Sequence, residues 1–298
     1  MGMIRRVVFW LRAVRCYAVS TSFTAVAFGG LYARWRGEEF SWVRFAVAAA
    51  AGMAMHAAAN LWNDYFDYTG GVDREAGKCG SAMIFSGELT PHRVFRAACV
   101  CAAAAAAGGL WLAWQTGWMI LGLGAAGLLG ALGYCAGPHS PKHHAWGEVW
   151  VFLMMGMGMP LGGWMAQTGH GTWRVIVAAL PVAVLTALLL YNNNLRDVED
   201  DRAAGIRTLP MVLGARAARP AAWAMCAVAF LMIPAGIYAG LLPCQSIWTM
   251  AAAPFALVWG VRIGRGPVTH RDELWLAHIH LFFGGLLLAA MWVAQSGM

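Results

Sequence analysis

The sequence predicts an all-α fold: a polytopic membrane helical bundle. Hydrophobic residues fill 60% of the 298 positions and charged residues only 12%, about half the charged share of an ordinary soluble domain. Apolar runs of roughly 20 residues, the length that crosses a bilayer as a helix, recur along the whole chain. Amphipathic β-alternation is missing, so helices rather than a barrel must satisfy the backbone inside lipid.

The chain parses into nine candidate transmembrane helices, at approximately 15–34, 43–66, 94–114, 118–136, 146–167, 174–195, 220–242, 246–263 and 273–295, forming one membrane-embedded domain over 1–298. The connections after the second, fourth, sixth and eighth spans carry the charge. Together with the N-terminus they hold seventeen Lys and Arg, against four (Arg34, Arg36, Arg44, Arg174) on the other side. The positive-inside rule then puts the N-terminus in the cytoplasm and, after nine spans, the C-terminus outside a cell (inner) membrane. Of the fourteen acidic residues only Glu38 and Glu39 fall on the outer side. The candidate chemistry therefore faces the cytoplasm. The same orienting role accounts for the basic balance without nucleic acid. Seven cysteines are scattered with no C-x-x-C pair, which argues against a thiolate metal site or a disulfide framework. A cleavable signal peptide is not expected, because the first apolar segment is too long. The Ala-rich run 102–107 reads as tight helix–helix packing.

Two stretches break the apolar pattern. Asn60-Leu61-Trp62-Asn63-Asp64-Tyr65-Phe66-Asp67 closes the second span, and Asn193-Asn194-Leu195-Arg196-Asp197-Val198-Glu199-Asp200-Asp201 closes the sixth. Both contain N-x-x-x-D-x-x-D, consistent with an old duplication. On a helix His56, Asn60, Asn63, Asp64 and Asp67 fall within a stripe roughly 100° wide. Relative to Asn193, Asp197, Asp200 and Asp201 sit at about 40°, 340° and 80°, with Glu199 at about 240°, facing away. Carboxylates at a membrane boundary are costly, and two clusters of one spacing are more than solvated helix ends. Hard oxygen donors without a His/Cys cluster select Mg2+ or a similar ion. That ion normally bridges carboxylates to substrate phosphate. Arg74, Lys78, Arg202 and Arg207 in the following loops supply charge for a diphosphate. The glycines show neither Walker nor Rossmann spacing. His56 reads as a hydrogen-bonded structural histidine.

With those residues in view, the pair N-D-Y-x-D and N-N-L-R-D-x-x-x-D-R-x-A-G resembles the UbiA superfamily of membrane aromatic prenyltransferases. More narrowly it resembles the menaquinone branch, the 1,4-dihydroxy-2-naphthoate polyprenyltransferases. Tyr134-Cys135-Ala136-Gly137-Pro138, Gly147-Glu148 and Gln167-Thr168-Gly169 agree with it. The resemblance implies metal–diphosphate ligation by Asn63, Asp64 and Asp67 with Asp73 as distal aspartate, and by Asp197, Asp200 and Asp201. Asp67, Asp197 and Asp201 then serve the chemical step. Asn60, Asn63, Lys78, Tyr134, Lys142, Asn193, Arg202 and Arg207 are the expected substrate contacts. The implied reaction passes through an allyl cation, to which Trp62, Tyr65, Phe66, Tyr134 and Tyr191 are near enough in sequence to offer π-faces, and His139, Lys142, His143 and His144 would attract an anionic acceptor. The implied partners are a polyprenyl diphosphate, an aromatic acceptor such as dihydroxynaphthoate, and the lipid bilayer. Two departures bear on the diphosphate contacts: Ile206 and Arg207 stand where the branch has a lysine after the glycine, and Ser81-Ala82-Met83 where it has an arginine. A 4-hydroxybenzoate or tocopherol-type acceptor is the nearest competitor, although the run Asn192-Asn193-Asn194 favours the naphthoate. A cation-coupled transporter would place its carboxylates near the midplane on broken helices, and a scaffold would need no diphosphate.

Overall fold

In the computed structural model, which describes residues 9–71, 82–137 and 140–294, every regular element among the described residues is a helix. The main rods are α1 (Cys16–Trp35), α2 (Trp42–Thr69), α3 (Pro91–Thr116), α4 (Met119–Cys135), α5 (Gly147–Thr168), α6 (Leu180–Arg196), α7 (Leu209–Tyr238), α8 (Cys244–Arg265) and α9 (His270–Val293). Each overlaps one of the nine predicted intervals, although α7 begins eleven residues earlier than predicted and is kinked at Gly214. Six of them (α2, α3, α5, α7, α8 and α9) are long and apolar enough to cross a membrane. The other three fall short for identifiable reasons. α4 and α6 have 17 residues each, and α1 is diluted by Ser20, Thr21, Ser22, Thr24 and Arg34. Length and apolarity thus support six crossings where nine were expected.

Local chemistry sets the helix starts. Ser41 accepts from the Arg44 N–H to begin α2, and Thr90 accepts from Arg93 N–H ahead of Pro91 in α3. Thr269 and Asp272 form a capping box at α9. Such caps contribute about 1 kcal/mol each. α1 and α5 cross closely enough that a Cβ on Gly29 would lie 1.9 Å from Pro160 O, and one on Gly163 2.0 Å from Val26 O. Only glycine fits at either position. The helix that carries the Ala-rich run packs closely along α2, with Ala102 against the cluster around Ala58 and Leu61, while Ala105 and Ala106 also line a cavity.

Two helices depart from regularity where they meet that cavity. α5 contains a π-helical stretch, Phe152–Gly158, a feature that often marks functional sites, and it presents Met154, Met155 and Met157 to the cavity. α6 stops at Asp197 (φ −95°, ψ 12°), and a short helix, Val198–Ala203, restarts at once.

Candidate active site

α2 and α6 carry the two acidic motifs to the polar end of a single large cavity of about 1800 Å3. Its walls are largely apolar, from Leu110 and Gly109 of α3, Gly124 and Leu128 of α4, and the methionines of α5. The polar end is lined by Asn60, Asn63 and Asp67 from α2 and by Asn193, Asp197, Asp200 and Asp201 from the second motif. Seven predicted residues from two distant segments therefore share one surface.

The first motif is already paired with basic side chains. Asn63 Nδ2 donates to Asp67 Oδ2 at 2.7 Å. The Lys142 ammonium donates to Asn63 Oδ1 at 2.7 Å and forms an ion pair with Asp67. Asn60 Nδ2 donates to Val14 O at 3.0 Å. Asp64 differs from expectation: it is buried, does not line the cavity, and is ion-paired with Arg15. It sits at one edge of the stripe, about 100° around the helix from Asn63, on the side of the N-terminal segment.

In the second motif the helix is interrupted at Asp197, and the side chains still fall as the helical angles predict. Asp201 N–H donates to Asp197 O at 2.8 Å, so the chain turns helically again after a non-helical Asp197. Asp197, Asp200 and Asp201 all reach the cavity, while Glu199 is exposed and outside it. Arg196 grips Asp197 with two prongs, Nε to Oδ1 and Nη2 to Oδ2, both 2.6 Å. Burial, reinforced by Asp197, Asp200 and Glu148, pushes the Asp201 carboxyl up to about 7, with Arg196 pulling the other way. Asp201 Oδ2 and Asn193 Oδ1 are buried without a hydrogen-bond partner, which is costly unless something else satisfies them.

Several expected contacts lie elsewhere. Arg202 and Arg207 are exposed and outside the cavity. The Arg207 backbone instead pairs with the neighbouring loop, accepting from Ala145 N–H at 2.6 Å and donating to His143 O at 3.1 Å. Lys142 and His143 line the cavity, whereas His144 does not. Of the aromatic candidates only Tyr134 lines it. Tyr65 packs against Phe95 with the rings tilted by 49°, and Tyr191 is buried, its hydroxyl donating to Ala218 O at 2.7 Å. Trp62, Tyr65 and Phe66 share α2 with the polar stripe, so its cavity-facing side is already taken. His56 lies on the wall with Nδ1 2.7 Å from Ser22 Oγ. Asp73, Lys78 and His139 lie outside the described residues. Arg15, Arg196, His270 and Glu273 line the polar end yet were not anticipated as site residues. As helix-end charges, Arg15, Arg196 and His270 carry no pattern that separates them from membrane anchors.

The donor set is hard oxygen, with no thiolate, and it includes orphaned buried oxygens; it fits Mg2+. Among the described residues no three His, Cys, Asp or Glu side chains converge into a cage. Mg2+ ordinarily completes its shell with water and substrate phosphate.

Comparison with known proteins narrows the chemistry. The profile of the UbiA prenyltransferase family matches residues 22–287. The chain belongs to the UbiA prenyltransferase family. Among UbiA relatives it is similar to the UbiA prenyltransferase domain-containing protein 1 homolog of Drosophila melanogaster, 28% identical over 99% of this chain and 82% of that protein. It is also similar to the 1,4-dihydroxy-2-naphthoate octaprenyltransferases of Mycobacterium tuberculosis and Bacillus subtilis. These are 29% and 27% identical; the alignments cover 86% and 59% of this chain, and 87% and 57% of those enzymes. In structure the chain is similar to a UbiA homolog from Archaeoglobus fulgidus solved bound to GPP and Mg2+. That match has a TM-score of 0.67 at 17% identity and covers 97% of this chain and 99% of that one. The likeness shows a shared fold.

Proposed function

We propose that this protein is a Mg2+-dependent polyprenyltransferase that moves a polyprenyl chain from its diphosphate to 1,4-dihydroxy-2-naphthoate, with loss of CO2, in menaquinone biosynthesis. The observation that carries this reading is the meeting of two Asn/Asp motifs at the polar end of a large apolar cavity. The names of the Mycobacterium and Bacillus relatives support the acceptor, as does the run Asn192-Asn193-Asn194. The archaeal neighbour's bound GPP and Mg2+ support the donor and the ion.

Asn63 and Asp67 on one side, with Asp197, Asp200 and Asp201 on the other, would hold the metal, and Asn193 would offer a further oxygen. A Mg2+ ion held there would supply charge neutralisation for the diphosphate and the leaving pyrophosphate. Lys142, already between Asn63 and Asp67, brings an ammonium to the diphosphate oxygens. The allylic C–O bond breaks and the electron pair leaves with the pyrophosphate. Tyr134 offers its ring to the allyl cation, the acceptor ring carbon bonds to it, and the acceptor carboxylate leaves as CO2. The walls from α3, α4 and α5 take the tail and keep water from the cation.

The reading includes one membrane-embedded domain with nine crossings, a cytoplasmic N-terminus and polar end, and an external C-terminus. Reporter fusions at 75, 140, 205 and 268 should all read cytoplasmic; an external reading at any of them breaks the shared-site reading. To test function, membranes containing the protein are incubated with Mg2+, a polyprenyl diphosphate and a panel of aromatic acceptors, and products are weighed by mass spectrometry. A prenylated, decarboxylated naphthoquinol is expected. Turnover of 4-hydroxybenzoate alone would refute the menaquinone assignment and spare the transferase one.

A further inference from the structure

The second motif is held from outside by a residue far away in sequence. Glu273 lies in the first turn of α9, 77 residues beyond Arg196, and only 5% of its side chain is exposed. Its carboxylate ion-pairs with Arg196 Nη1 and meets His270 Nδ1 at 2.7 Å. The same guanidinium grips both oxygens of Asp197 through Nε and Nη2, each at 2.6 Å. Arg196, Asp197, His270 and Glu273 all line the polar end of the cavity. The position of α9 is itself fixed: Thr269 and Asp272 cap its start, and Arg262 pairs with Asp272 at 2.7 Å.

The local backbone explains why such a hold is needed. α6 ends at Asp197, whose φ and ψ are not helical, so the helix does not orient this carboxylate. A guanidinium is a planar fork that can fix both oxygens of one carboxylate at once. A fork on a long side chain still has rotamers of its own, and an anchor on its far side removes them. Glu273 supplies that anchor with nearly no solvent to compete. A mere packing role would not require one guanidinium to bridge the two acids.

We propose that Glu273 is a positioning residue for metal and diphosphate binding. It locks Arg196, and Arg196 in turn orients the Asp197 carboxylate toward the cavity. This rests on the prenyl-transfer reading above. Partners behind a metal ligand typically matter roughly 10- to 100-fold in metal affinity or activity, and Glu273 stands one residue further back, so the lower end is expected.

The test uses full-length protein in lipid nanodiscs and reads Mn2+ binding by electron paramagnetic resonance, with inorganic pyrophosphate present, so that it does not depend on turnover. Glu273→Gln should weaken Mn2+ binding about tenfold, and in a parallel assay should raise the Mg2+–diphosphate KM more than it lowers kcat. The double variant Arg196→Gln/Glu273→Gln should bind no worse than Arg196→Gln alone, because Glu273 acts through Arg196. Should Glu273→Gln aggregate, Arg196→Lys keeps the charge toward Glu273 but loses the fork, and it should show the same loss. Wild-type Mn2+ affinity in Glu273→Gln, or in Arg196→Lys, would overturn the proposal, as would losses that add in the double variant. Absence of Mn2+ binding by the unaltered protein would instead refute the Mg2+–diphosphate reading on which it rests.

Discussion

The two motifs share one spacing and end differently. Around Asn60, Asn63, Asp64 and Asp67 the helix runs on unbroken to Thr69. Its geometry therefore sorts the side chains: Asn60, Asn63 and Asp67 reach the cavity, and Asp64 is turned toward Arg15. Around Asn193 the helix ends at Asp197, and the restart at Val198 brings Asp197, Asp200 and Asp201 to the cavity together. Each motif also has its own counter-charge. A lysine from a loop serves the first and an arginine beside the aspartate serves the second. A repeated spacing thus does not by itself specify a repeated arrangement: Asp64 of the first motif turns to Arg15, whereas Asp197, its counterpart in the second, reaches the cavity.

The sharpest way to break this comparison is to neutralise one ligand on each side. Asp67→Asn and Asp197→Asn should each lower Mg2+-dependent turnover by roughly 10²–10³-fold or more, the scale seen when one electrostatic stabiliser of a transition state is lost. Both should remain inserted and folded by size-exclusion chromatography, since both groups line the cavity rather than the packed core. Wild-type activity of either at limiting Mg2+ would show that only one motif binds the ion.

A second experiment uses the charge crowding that distinguishes the second motif. Asp201 is held up to about 7 by burial first and then by its acidic neighbours. Below that pH it carries a proton in the metal-free protein, and a metal must displace that proton to bind. Apparent Mg2+ affinity should therefore fall as pH drops from 8 to 6, by up to about tenfold for the unit below the pKa. Asp201→Asn should flatten that part of the profile. A Mg2+ titration with the same midpoint at pH 6 and pH 8 would contradict it.

Asp64 sharpens the comparison from the other side. If it serves the pair with Arg15 rather than the metal, Asp64→Asn should chiefly cost stability, about 1–3 kcal/mol for a buried partner left imperfectly satisfied, read as a lowered melting temperature. Its effect on the Mg2+ half-saturation point should be much smaller than that of Asp67→Asn. Equal losses in the two variants would put Asp64 back among the metal ligands.

The smallest effect is expected at Glu199, which is exposed and outside the cavity. Glu199→Gln should stay within about twofold of the unaltered rate, as is usual for an exposed charge with little to lose. A loss comparable to that of Asp201→Asn would mean that the restart after Asp197 presents a different face.

The fold class was legible in composition, because a bilayer leaves the backbone few options and demands long apolar runs. The helical intervals and the two motifs followed from the same pattern, since polar residues at the end of an apolar helix stand out against it. Mg2+ chemistry was legible too, as it follows from oxygen donors without thiols. What the sequence could not decide were relations between segments. Nothing local marks Glu273 as the partner of Arg196, 77 residues away, or Lys142 as the cation between Asn63 and Asp67. The same holds for the aromatic residues. Trp62, Tyr65, Phe66 and Tyr191 stand as close to the motifs in sequence as any, yet they pack into other interfaces, and of these candidates Tyr134 alone lines the cavity. Periodicity determines which residues share a helix face. Which face meets the cavity, and which charge answers it from another helix, is decided only when the helices pack, because those contacts join groups that the chain itself keeps apart.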